Sequence, residues 1–122
     1  MFDHISLATG DLARSRAFFS QALAPLGIGV VMEFPGAVGL GSDGRPQLWL
    51  VEHEGQPSPV HIAFVASDRM QVDAFHRAAL AAGATDNGAP GIRAHYHADY
   101  YAAFVISPDG HNIEAVCRRA EH

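Results

Sequence analysis

The feature that most constrains this chain is an internal repeat. His4-Ile5-Ser6-Leu7-Ala8-Thr9-Gly10-Asp11 lies over His61-Ile62-Ala63-Phe64-Val65-Ala66-Ser67-Asp68 at a constant offset of 57 (61 − 4 and 68 − 11). The register runs on without a gap, so that Ala17 meets Ala74, Phe18 meets Phe75, Ala22 meets Ala79 and Leu23 meets Leu80. Such matching argues for a duplication. At 122 residues in all, each copy is too short to bury a core of its own, and the two must share one. The expectation is a single domain over 1–122, with module one at 1–55 and module two at 60–122. The join falls at Gln56-Pro57-Ser58-Pro59, where two prolines interrupt regular structure.

Each copy opens on a strand. Side chains alternate across a strand, which sets Ile5 and Leu7 opposite His4 and Ser6, and Ile62 and Phe64 opposite His61 and Ala63. A helix follows, with Asp11 and Asp68 as N-caps whose carboxylates accept free first-turn N–H groups. Val72, Phe75, Ala79 and Ala82 form an apolar stripe at helical spacing, and Gly27 and Gly83 stand where a helix stops. Further strands are expected at Ile28–Phe34, Ala37–Gly41 and Gln47–His53, then at Tyr101–Ser107 and Asn112–Cys117. Ser42-Asp43-Gly44 and Pro108-Asp109-Gly110 supply turns, while 84–97 reads as loop. The fold class is α+β: two β-α-β-β-β modules forming a cupped mixed sheet.

Charge and composition exclude several classes. A formal net charge of −5, scattered arginines and no lysine leave no basic footprint for nucleic acid. No run approaches the roughly 20 apolar residues of a membrane span. Cys117 is the single cysteine, so no disulfide forms within the chain. Met1-Phe2-Asp3-His4 shows no basic segment leading into an apolar run, and the expected location is cytoplasmic.

His4 and His61 occupy one repeat position, on the face opposite the apolar residues of their strands. Glu114 sits between Ile113 and Ala115 in a strand that otherwise reads as buried, where a carboxylate is costly unless paired or bound to a metal. A lone histidine near a strand start is ordinarily structural or exposed, and Glu114 alone would fit the solvent side of an edge strand. The shared register of the histidines favours the other reading: two imidazoles and a carboxylate converging on a divalent ion with open coordination positions. An open position lets the ion polarise a substrate oxygen or activate water.

The duplication, the paired His-Ile strand starts and the ending Pro108-Asp109-Gly110-His111-Asn112-Ile113-Glu114-Ala115-Val116 resemble the vicinal oxygen chelate superfamily, over essentially the whole chain. That group includes glyoxalase I, extradiol dioxygenases, fosfomycin-resistance thiol transferases, methylmalonyl-CoA epimerases and bleomycin-binding proteins. The resemblance implies His4, His61 and Glu114 as ligands of a divalent metal, and leaves zinc, nickel, manganese and iron open. It also implies a homodimer, with His4 of one chain meeting His61 and Glu114 of another. The implied activity is a metal-dependent lyase or dioxygenase chelating a small oxygen-bearing substrate and stabilising an enolate-like or catecholate-like anion.

Departures from the family pattern narrow this. Setting Leu48 against Ile113 and Val51 against Val116 puts Trp49 where Glu114 has its counterpart, a place in which glyoxalase I has a fourth ligand. Gln47 or Glu52 takes that place only if the register differs by two or three. Ser6, Trp49, Arg93 and Phe104 are the substrate-binding candidates. In Arg93-Ala94-His95-Tyr96-His97-Ala98-Asp99-Tyr100-Tyr101, side chains can donate or accept protons, and His95, His97 and Tyr101 are the acid/base candidates. The same loop also reads as a surface segment whose aromatics pack on the sheet. The alternative from another class is a metal-free protein that sequesters a drug or metabolite, as the bleomycin-binding relatives do.

Overall fold

Both halves start a helix in the same way, because an aspartate at the equivalent position caps each one. In a computed structural model describing residues 1–120, Asp11 accepts the Arg14 N–H at 3.0 Å and Asp68 accepts the Gln71 N–H at 2.8 Å. Module one comprises β1 (Ile5–Thr9), α1 (Leu12–Ala22), a short 3-10 turn (Ala24–Leu26), β2 (Gly29–Phe34), β3 (Ala37–Gly41) and β4 (Leu48–Glu52). Module two comprises β5 (His61–Val65), α2 (Arg69–Ala81), β6 (Thr85–Ile92), β7 (Tyr101–Ile106) and β8 (Asn112–Cys117). Residues 53–60, which include the expected join at 56–59, carry no regular element.

The modules form two four-stranded mixed sheets of equivalent order, β1-β4-β3-β2 and β5-β8-β7-β6. In each, the first and last strands of the module run parallel and the remaining pairs are antiparallel. Equivalence extends to the register: Ser6 pairs with Trp49, and Ala63 with Glu114. Trp49 therefore is the counterpart of Glu114, and neither Gln47 nor Glu52 takes its place. This is the expected α+β arrangement.

Alternation along the strands sorts their side chains onto two faces. Leu7, Val38, Leu40, Leu48 and Leu50 of the first sheet join Ala103, Val105, Ile113, Ala115 and Cys117 of the second in one core. Phe18, Phe19 and Leu23 enter from the first helical region, and Val72, Phe75 and Ala79 from α2. The two helices touch each other, so neither module has a separate interior. Residues of opposite parity, among them Trp49 and Glu114, are left on the other faces.

The sequence reading differs from the structure at 84–97. Residues 85–92 are strand, and only 93–100 are loop. β6 shows no alternation because its register against β7 shifts twice, between Asp86 and Gly88 and between Gly88 and Gly91. It is also tied to α2 by buried His76, whose Nε2 lies 2.9 Å from Asp86 Oδ1. The Asp86 carboxyl is held below its ordinary value, first by the Gly88 N–H and next by His76. No helix among the described residues is long and apolar enough to cross a membrane.

A latch in the β7–β8 turn holds the modules together. His111, 1% exposed, accepts the Val60 N–H at Nδ1 (3.2 Å) and donates Nε2–H to the Ala8 carbonyl (2.9 Å). Those two partners fix the neutral tautomer protonated at Nε2. Beside it, Asp109 accepts the Thr9 hydroxyl at 2.5 Å and the Gly10 N–H at 3.0 Å. Both residues of module two thus grip the end of β1. Replacing His111 with Ala strands the Val60 N–H and the Ala8 C=O and opens a void. We expect a loss of about 2–4 kcal/mol, read as a lower denaturant midpoint at unchanged slope.

Candidate metal centre

β8 lies between β5 and β7, so residues of both neighbours reach Glu114 from either side. Ala63 is its Cα partner on β5 and Phe104 its partner on β7. His61, on the same face as Ala63, brings Nε2 to 2.7 Å from Glu114 Oε1. Tyr100, just before β7, donates its hydroxyl to Oε2. Glu114 is 1% exposed, while about half of the His61 side chain remains open to solvent. A carboxylate so far from water needs both contacts to offset its desolvation.

Tyr100 is suited to its part. Burial first, and then the hydrogen bond and charge of Glu114, push its hydroxyl up to about 12. It therefore stays a proton donor to the carboxylate throughout the neutral range. The His61 nitrogen facing Glu114 has two alternative uses. It carries a proton when bonded directly to the carboxylate, and offers a lone pair when a cation stands between them.

Aromatic rings surround the pair. His61 lies 6.2 Å from the Phe104 ring by centroids, and the Arg93 guanidinium sits 5.4 Å above that same ring. The Arg118 guanidinium lies 4.9 Å over Tyr100, which also has Tyr96 edge-on at 5.0 Å. His95 packs on Tyr96 at 4.1 Å, and His97 Nδ1 accepts the Asp99 N–H at 3.0 Å within the loop. Both histidines are exposed, and neither is hydrogen-bonded to His61 or Glu114. Tyr101 corrects the expectation drawn from the sequence. As the first residue of β7 it points the other way, donating its hydroxyl to Asp73 of α2 at 2.6 Å beneath Arg69. One step along a strand reverses the face, and Tyr100 is the tyrosine that meets the carboxylate.

Module one presents different chemistry. His4 Nδ1 lies 2.7 Å from Asp3 Oδ1; about half of the His4 side chain and most of the Asp3 side chain are open to solvent. Ser6 is exposed beside Trp49, whose indole stacks on Phe34 at 5.9 Å and 21°. Gly39 makes room for the indole, since a Cβ there would come within 3.0 Å of its ring. Among the described residues no three His, Cys, Asp or Glu side chains gather as a metal requires. The chain brings His61 and Glu114 together and leaves His4 apart.

The profile of the Glyoxalase/Bleomycin resistance protein/Dioxygenase superfamily matches residues 1–115. Among solved structures, a glyoxalase/bleomycin resistance protein from Albidiferax ferrireducens T118 is 31% identical, with a TM-score of 0.79 over 98% of this chain and 99% of the other. A glyoxalase/bleomycin resistance protein/dioxygenase family enzyme from Burkholderia phytofirmans PsJN is 21% identical at a TM-score of 0.76, covering 96% and 98%. Lactoylglutathione lyase from Agrobacterium tumefaciens is 17% identical at 0.71, covering 96% and 92%, and shows likeness of fold. No curated protein sequence matches the chain.

Tyr100→Phe leaves one oxygen of a buried carboxylate without its donor. We expect it to lower stability by about 1–3 kcal/mol in chemical denaturation.

Proposed function

The chain belongs to the glyoxalase/bleomycin resistance protein/dioxygenase superfamily, and on that premise we propose that it is a divalent-metal-dependent enzyme acting on a small oxygen-bearing substrate. The observation that carries this reading is the buried Glu114 carboxylate paired with His61 Nε2 at 2.7 Å. An imidazole nitrogen and a carboxylate oxygen are donors suited to zinc, nickel, manganese or iron. When bound, such an ion supplies Lewis-acid polarisation of vicinal substrate oxygens and stabilises the anion formed from them. Tyr100 holds Glu114 in its orientation, as partners behind a metal ligand do. The activity would be that of a lyase or dioxygenase, in a cytoplasmic setting to which a lone, buried cysteine is suited.

Two donors make an incomplete site. His4 occupies the equivalent repeat position in module one, and its imidazole is exposed. We place it as the third ligand, contributed across a homodimer to His61 and Glu114 of a second copy. The side chains left open outside the shared core support this, with Met32, Phe34, Val51, Val65 and Ile92 all exposed. Trp49 of the partner subunit would then stand as an apolar wall across the site. A second reading draws on that wall. The exposed Phe34 stacked on Trp49 suits a metal-free protein that binds a flat apolar ligand.

Complementation separates these readings. His4→Ala and Glu114→Ala should each lose stoichiometric metal. A mixed dimer of the two variants regains one intact site per pair, because one chain keeps His4 and the other keeps His61 and Glu114. We expect elemental analysis to find about half the native metal in mixed dimers isolated from co-expression. Undiminished metal in the single variants would reject this ligand set, and no regain in the mixture would reject its sharing between chains. Native protein that takes up no metal would favour the binding protein.

A further inference from the structure

The rings touching the His61–Glu114 pair have an unusual feature in common. Phe104, beside His61, carries Arg93, and Tyr100, bonded to Glu114, carries Arg118. The chain has eight basic residues in all, every one an arginine, against 13 acidic ones. Two of those few guanidiniums are stationed at this site. Among the described residues neither has a carboxylate partner, whereas Arg16 is paired with Glu33 at 2.8 Å.

Arg93 is the better fixed of the two. Its N–H donates to the Tyr100 carbonyl at 2.7 Å, so one backbone bond positions both it and the tyrosine that holds Glu114. Its head lies in a bed cleared by glycines. A Cβ at Gly88 would come 3.1 Å from Nη2 and 3.0 Å from the Phe104 ring, and one at Gly91 would come 3.1 Å from Nη1. The guanidinium has five N–H donors, and a single hydrogen bond is seen, from Nη2 to the Ala89 carbonyl at 2.8 Å. A guanidinium lying over a ring keeps its N–H edge free for an anion, and that edge matches a carboxylate in shape and charge.

Resting on the metal-site reading above, we propose that the substrate of this site is a small organic acid whose carboxylate is received by Arg93. One carboxylate oxygen and the hydroxyl on the neighbouring carbon would then reach towards His61 and Glu114. Arg118 adds positive charge on the Tyr100 side. Charge at this place would select acids over neutral carbonyls and alcohols of the same size.

Lactate and propane-1,2-diol provide the test, since both present vicinal oxygens and only lactate bears a carboxylate. Each is titrated into isotope-labelled native protein, with and without zinc, while the Arg93 Nε–H resonance is followed. We expect lactate, and not the diol, to shift that resonance. Arg93→Gln should weaken lactate binding by roughly tenfold or more, Arg93→Lys by less, with zinc stoichiometry unchanged in both. Equal binding of lactate and diol, or unaltered lactate binding by Arg93→Gln, overturns the proposal. Failure of zinc to bind counts against the metal reading alone, because the titration of metal-free protein still decides the part of Arg93.

Discussion

A single buried carboxylate organises the second module of this molecule. Glu114 is placed in the middle of a sheet, where its charge is tolerated only if both oxygens are engaged. β8 runs between β5 and β7, so one neighbour supplies His61 and the other leads back to Tyr100. Tyr100 in turn depends on the neck of the 93–100 loop, closed by the Arg93 N–H on its carbonyl. The carboxylate, imidazole, phenol and guanidinium are thus consequences of one strand order and one loop closure.

The duplication lets the two modules be compared position by position. Superposed by register, Trp49 stands for Glu114, and Ser6 for Ala63. One module has a charged group in the central position, and the other has an indole stacked on Phe34 over Gly39. The His111 and Asp109 latch sets how the modules meet within a chain.

Much of this was legible in the amino-acid order, for a physical reason. Repeated His-Ile starts, capping aspartates and turn glycines each fix local backbone, and Leu48 and Ile113 set the strand register by their apolar phase. β6 was not legible: Thr85-Asp86-Asn87-Gly88-Ala89-Pro90-Gly91-Ile92 alternates nothing, and its pairing with β7 is interrupted by two register shifts. Adjacent tyrosines at 100 and 101 could not be separated either, because a strand's first residue decides which of two neighbours faces the carboxylate. Arg118 and the inter-module role of His111 depend on contacts across the chain that no local pattern encodes, although the Pro108-Asp109-Gly110 turn marked the neighbourhood.

The central claim is that the nitrogen of His61 facing Glu114 is a metal ligand. Following the imidazole nitrogen resonances of native protein while zinc is added tests it at that atom. The account predicts that the His61 Nε2 resonance moves and saturates at one ion per chain, with its direct bond to Glu114 replaced by the metal. Zinc uptake that leaves the His61 imidazole unmoved, or no uptake at all, would contradict it.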